Sequence, residues 1–195
     1  MLQLIRRRLG LEKDGRDWVL EMMPRNAVCA EIGVLWGVFS RRILKITKPN
    51  ALHLIDPWVY RADLASQNYG TGSKNTPESM EKICDHVKRR LGPRPNVRIH
   101  RLPSLEAVEL FPDNYFDWIY LDGDHRYEMA RADLERYHAK VKPGGLVAGD
   151  DYAQPKRNWT QDGVTRAVDD ILTTDMYERV VISPADHQFI LRVSK

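Results

Sequence analysis

Short apolar runs alternate along this chain with stretches of helical period, and that alternation constrains the fold more than any other feature. The runs are Ala27–Ile32, Ala51–Ile55, Val97–His100, Phe116–Leu121 and Leu146–Ala148, and most are stopped at once by a glycine or an aspartate (Gly33, Asp56, Asp122, Gly149). Runs this short, bounded by turn residues, read as strands. Helical patterns cover Phe39–Ile46, Thr76 to about Leu91, and Tyr127–Val141. The second opens with Thr76 as a cap, Pro77 in the first turn and Glu78 at the positive helix end. The turn Lys142-Pro143-Gly144-Gly145 is expected to open the fifth strand. Strands alternating with helices imply βαβ units, hence an α/β fold with a mostly parallel sheet and helices on both faces. The end of the chain departs from this rhythm. Arg179–Ser183 and Gln188–Val193 are separated only by a turn containing Pro184 and Asp186, which predicts an antiparallel hairpin at one sheet edge.

The chain has 195 residues, 43% of them hydrophobic, which suits one domain with a substantial core. A net charge of only +3 gives no sign of a nucleic-acid binder driven by phosphate neutralisation. Two cysteines set no disulfide framework, and Cys29, inside an apolar run, reads as a core residue. No run is long enough to span a membrane, and the start, MLQLIRRRLGL, lacks an apolar signal core. A soluble, cytoplasmic protein is expected, with no nucleic-acid partner and no membrane insertion. Residues 1–26 read as an N-terminal helical segment ahead of a domain over 27–195. Within it Gln3–Met23 forms one or two short helices, and Arg6, Arg7 and Arg8 make a solvated face or a partner or membrane contact. An insertion falls at about 58–92. Its first part, Trp58–Asn75, has no period and is either a lid over the crevice or a surface loop.

EIGVLWG, Glu31 to Gly37, follows the first strand and opens a helix. Gly33 permits a tight turn and close approach of a ligand to the backbone, while Glu31 puts a carboxylate at the strand end. The stretch is not G-x-G-x-x-G, and with a carboxylate beside Gly33 the loop suits a cationic or zwitterionic ligand better than a dinucleotide pyrophosphate. Asp56 ends the second strand, where a carboxylate can accept both hydroxyls of a ribose.

These stretches, AEIGVLWG, LIDPW, IYLDGDH, KPGGLVAGDDY and the terminal strand pair, resemble the class I S-adenosylmethionine-dependent methyltransferases, most closely the subfamily related to macrocin O-methyltransferase, with catechol O-methyltransferase a more distant likeness. The resemblance runs from Ala27 to the C-terminus. It implies a Rossmann-like, seven-stranded sheet with S-adenosylmethionine bound by Glu31, Gly33, Asp56, Ser104 and Asp122. Glu31 and Gly33 would face the methionine side, Asp56 the ribose, and Ser104 the adenine end.

In such a sheet the fourth and fifth strands are neighbours, so Asp122 would meet Asp150 and Asp151. Three converging carboxylates repel unless a cation lies between them. Oxygen ligands suit Mg²⁺, or another divalent cation such as Ca²⁺ or Mn²⁺. The resemblance implies the same metal site, Asp122, Asp150 and Asp151, although aspartates at strand ends also cap turns. A divalent ion would lower the pKa of an acceptor hydroxyl, and a base would remove its proton. His125 and Asp124 compete for that role or share it, although Asp124 could instead orient a ligand and His125 could cap the following helix. Tyr152 and Trp159 could wall an acceptor pocket, with a helix after Gly163-Val164. Trp58 and Tyr60 could cover the cofactor, whereas His53 reads as a packed core histidine. The reading that follows is Mg²⁺-dependent O-methylation of a small molecule or sugar by an enzyme expected to be a homodimer. A metal-independent methyltransferase and a non-catalytic nucleotide-binding module are its alternatives.

Overall fold

The computed structural model describes residues 16–61, 76–153 and 162–194. Its first five strands are β1 (Val28–Ile32), β2 (Ala51–Ile55), β3 (Val97–His100), β4 (Phe116–Leu121) and β5 (Val141–Gly149). A hairpin of β6 (Tyr177–Ser183) and β7 (Gln188–Val193) closes the chain. The helices are α1 (Asp17–Met22), α2 (Val38–Ile46), α3 (Pro77–Leu91), the short α4 (Ser104–Ala107), α5 (Tyr127–His138) and α6 (Gly163–Ile171). The strands form one sheet in the order β3-β2-β1-β4-β5-β7-β6. β1 to β5 pair in parallel, and β7 runs antiparallel to both β5 and β6. This is the expected Rossmann-like sheet.

Register makes the crevice. Ile32 lies beside Ile55 on one side and Leu121 on the other, and Leu121 lies beside Gly149. The hydrogen bonds continue one step further: Gly33 N donates to Ile55 O (2.9 Å), Asp122 N to Ile32 O (2.7 Å) and Asp150 N to Leu121 O (3.1 Å). Residues far apart in the chain therefore leave the sheet side by side, where β1 and β4 send their helices to opposite faces.

The sheet is buried on both sides, which is why its strands read as near-continuous apolar runs. Trp118 and Tyr120 face one core with Leu52, Leu54, Met80 and Val87, and Ile119 faces the other with Phe116, Leu134 and Val168. Cys29 is fully buried, as expected. Thr76 caps α3: its hydroxyl accepts from Ser79 N (3.1 Å) while the Ser79 hydroxyl accepts from Thr76 N (2.8 Å). No helix among the described residues is long and apolar enough to cross a membrane.

Several boundaries differ from expectation. The helix over 127–141 ends at His138, and β5 begins at Val141, so Lys142-Pro143-Gly144-Gly145 lies inside the strand. The pairing with β4 shifts register there, and Gly144 adopts φ +78°, as a bulge requires. β6 begins at Tyr177, because Tyr177 still pairs with Val193. Only Asp17–Met22 of the N-terminal helical expectation falls among the described residues as helix; residues 1–15, 62–75 and 154–161 lie outside them, with most of the lid candidate and Trp159.

His53 is a core histidine with a consequence for stability. Its Nδ1 lies 2.9 Å from His100 Nε2 and its Nε2 3.2 Å from the Tyr115 hydroxyl, among the rings of Phe111 and Phe116. Burial first, then the His100 and Arg98 charges, lowers its pKa to about 4. An unfolded histidine titrates near 6.5, so as pH falls toward 4 the unfolded chain takes a proton that the folded chain refuses. Stability present above pH 6.5 is thus lost on acidification, by about 2 kcal/mol between pH 7 and pH 5. Urea midpoints at the two pH values check this, and His53→Gln should remove most of the difference.

Candidate active site

At the carboxyl ends of β1, β2 and β4 lies a cavity of about 500 Å³, lined among others by Glu31, Gly33, Asp56, Ser104, Asp122 and Arg16. All five residues expected around a cofactor therefore face one space. Gly33 has φ +90°, and a Cβ placed on it would come 1.8 Å from the Asp122 carbonyl oxygen. The loop after β1 can touch the loop after β4 only because residue 33 has no side chain.

Glu31 is almost fully buried and accepts a hydrogen bond from the Ser40 hydroxyl of α2. Burial is the main reason its pKa is pushed up to about 8. A carboxyl this costly to ionise favours a cation placed beside it.

Asp56 does more than the sequence suggests. Oδ2 accepts from Val34 N and Leu35 N (both 2.9 Å), and Oδ1 from Trp58 N (2.7 Å). Three of a carboxylate's roughly four acceptor sites therefore hold backbone, and its first task is to shape the loop after β1. Leu35 and Trp58 both adopt positive φ within this knot. Trp58, expected over a cofactor, is buried in the core with its indole N–H donating to Leu35 O (2.9 Å), and Tyr60 packs against the same core. Val59, between them, lines the cavity.

The acidic cluster is the part that the sequence reads least well. Arg16, immediately before α1, reaches between the strand ends. Its Nη1 lies 3.2 Å from Asp122 Oδ2 and 3.0 Å from Asp150 Oδ2. On the other side His125 Nε2 lies 3.5 Å from Asp122 Oδ1, and Nδ1 lies 2.7 Å from Asp151 Oδ2. Burial disfavours a charged ring there, but contacts with Asp122 and Asp151 outweigh it and push the His125 pKa up to about 10. The two flanking carboxylates thus favour the charged form of the ring. Asp124, the competing base, is bound by Arg126, whose Nε lies 2.9 Å from Oδ1 and whose Nη2 lies 2.5 Å from Oδ2. Asp150 Oδ1 accepts from Gln188 Nε2 (2.5 Å) and Asp151 N (2.9 Å), and Gln188 accepts from the Tyr120 hydroxyl (2.7 Å). Burial, then the nearby Asp122 charge, raises the Asp150 pKa.

The three carboxylates expected to ligate a metal are close but are not arranged as one ligand set. The one group of metal-ligating atoms that converges among the described residues, within 4.8 Å, belongs to Asp122, His125 and Asp151. Asp150 turns instead to Arg16 and Gln188. Mg²⁺ needs open oxygen ligands and room for several waters. Here a guanidinium bridges two of the carboxylates and an imidazolium bridges two, so as folded the cluster does not fit a hard divalent ion. Tyr152 donates its hydroxyl to Asp169 of α6 (2.9 Å) and packs on the core below. Arg16 and Gln188 carry no local sequence signal; they are recognised only by what the fold brings to them.

A mostly parallel sheet with a cavity at its switch point, a buried glutamate and a glycine at positive φ define a Rossmann-like crevice. Residues 30–152 match the methyltransferase-domain family, and the chain belongs to that family. No curated protein matches the sequence. Among solved structures, an O-methyltransferase from Bacillus cereus in complex with S-adenosylhomocysteine superposes with a TM-score of 0.58 at 16% identity, over 99% of this chain and 88% of that one. The N-methyltransferase NodS from Bradyrhizobium japonicum gives 0.59 at 16% identity, over 92% and 93%. A methyltransferase from Podospora anserina, bound to S-adenosylhomocysteine, gives 0.60 at 12% identity, over 86% and 71%. At these identities the likeness is one of fold, and it does not choose between oxygen and nitrogen acceptors.

Proposed function

We propose that this chain transfers the methyl group of S-adenosylmethionine to a hydroxyl of a small molecule or sugar, as a macrocin-type O-methyltransferase. The observation that carries the reading is the convergence of Glu31, Gly33 and Asp122 on one cavity at the β1/β4 switch point. The cofactor, when bound, supplies a methyl carbon already activated on a cationic sulfur. The protein contributes placement, worth on the order of 7–11 kcal/mol at best. Glu31 faces the cationic methionine part, Gly33 lets that part approach the backbone, and Ser104 lies toward the base. The acceptor hydroxyl lies on the Asp122 side. With the charged form of His125 favoured and Asp124 held by Arg126, a carboxylate of the cluster receives the hydroxyl proton, and His125 stands beside that carboxylate.

The sequence motifs support a Mg²⁺-dependent reaction; the Arg16 and His125 contacts favour the metal-independent alternative. The reading also includes a homodimer, on symmetry grounds, and a cytoplasmic location, for which the two buried free cysteines speak.

Calorimetry with S-adenosylhomocysteine tests the core of the proposal. The wild type is expected to bind, and Glu31→Gln to bind roughly tenfold or more weaker, the loss of one charge-assisted contact. No binding by the folded wild type would overturn methyl transfer from this cofactor. Labelled methyl appearing only in amine acceptors would overturn the hydroxyl assignment.

A further inference from the structure

Arg16 lies outside the residues matched to the methyltransferase family, yet it reaches the centre of the acidic cluster. Its backbone is anchored. The next residue, Asp17, binds Arg42 of α2 through Oδ1 (2.6 Å to Nε) and Oδ2, and Val19 and Leu20 bury the helix that follows. The side chain is anchored too. Its guanidinium carbon stands 4.5 Å over the ring of Phe39, a stacking geometry available to arginine. Phe39 in turn packs on Tyr120, at 4.3 Å between centroids. Arg16 thus rests on an aromatic floor with Asp122 on one side and Asp150 on the other.

Those two carboxylates directly follow β4 and β5, whose last residues, Leu121 and Gly149, are paired. Two carboxylates close enough to share one guanidinium nitrogen, at 3.2 and 3.0 Å, repel unless a cation lies between them, and the chain provides one from its own N-terminal side. A divalent ion in the same place would meet the guanidinium at contact distance, so the two cations exclude each other.

We propose that Arg16 is the resident cation of this crevice. It bridges Asp122 and Asp150, holds them in position on the cavity wall and keeps divalent metal out. Arg16 is a positioning residue acting through the two aspartates. The inference concerns the same cavity as the proposed methyl transfer, but its test reads metal binding and stands whether or not the cofactor binds.

Mn²⁺ binding to the full chain, followed by electron paramagnetic resonance, decides it, with Arg16→Ala, Arg16→Gln and Arg16→Lys beside the wild type. The wild type and Arg16→Lys are expected to bind weakly, because a positive charge remains. The neutral variants are expected to bind one Mn²⁺ roughly tenfold or more tightly than the wild type. Circular dichroism reports whether each variant is folded, and Arg16→Gln, which keeps much of the side-chain length, serves if Arg16→Ala is not. A further Asp150→Asn change in the neutral background should abolish the gain. A wild type that binds one Mn²⁺ as tightly as the neutral variants overturns the proposal. So do folded neutral variants that bind no better than the wild type.

Discussion

Gly33→Ala is expected to destabilise the chain by about 3 kcal/mol or more and to abolish S-adenosylhomocysteine binding. Two costs combine. The first is conformational, because φ at Gly33 is +90° and an L side chain there costs roughly 1–2 kcal/mol. The second is steric. The added Cβ would lie 1.8 Å from the Asp122 carbonyl oxygen, 2.3 Å from its carbon and 2.8 Å from Gly123 N, all backbone atoms. Asp122 cannot retreat cheaply, because its N–H is bound to Ile32 O at 2.7 Å. The loops after β1 and β4 must separate, and that junction is the cavity floor. Gly144→Ala is the matched control. Its φ of +78° is as unsuited to a side chain, but nothing lies within 4 Å of the added Cβ. It should lose only the conformational part, about 1–2 kcal/mol, and keep full binding. Urea unfolding and calorimetry on both variants separate the two costs. Equal losses would mean that the close contact between the loops is absent.

Asp56→Ala is the second large effect, expected at about 3 kcal/mol or more. The substitution leaves the N–H groups of Val34, Leu35 and Trp58 without their acceptor in a buried loop. Each such group costs roughly 1–3 kcal/mol unless water reaches it. Asp56→Asn keeps one acceptor oxygen, so it should fall between alanine and the wild type. Trp58 is fully buried and within the same knot, so its fluorescence should shift red as the loop opens. A carboxylate acting on a ribose alone would predict weaker cofactor binding at unchanged stability. The hydrogen bonds predict that both fall together.

Most residues of the candidate cofactor site could be picked out in the sequence because they end or follow an apolar run. Glu31, Gly33, Asp56 and Asp122 sit at the end of, or just beyond, apolar runs, and parallel pairing carries such positions to one edge. Ser104 was legible only by resemblance. What each side chain does there was less legible. Asp56 reads in sequence as a ribose acceptor, yet it binds three backbone N–H groups that only the folded loop presents. His125 reads as a base because an isolated imidazole titrates near neutrality, and only the fold places Asp122 and Asp151 beside it, where they favour its charged form. Pro143 and Gly144 read as a turn, yet pairing with β4 makes them a bulge within β5.

By itself, then, the sequence determined the alternation of strands and helices, the parallel sheet with its terminal hairpin, and the set of carboxylates at the crevice. Those follow from local period and from where each apolar run stops. Only the tertiary structure decided how the carboxylates are neutralised. Arg16 meets Asp122 and Asp150 across separations of 106 and 134 residues. No local pattern encodes a contact at that range. It arises because packing of α1 against the sheet brings a guanidinium to the place where strand register has gathered negative charge.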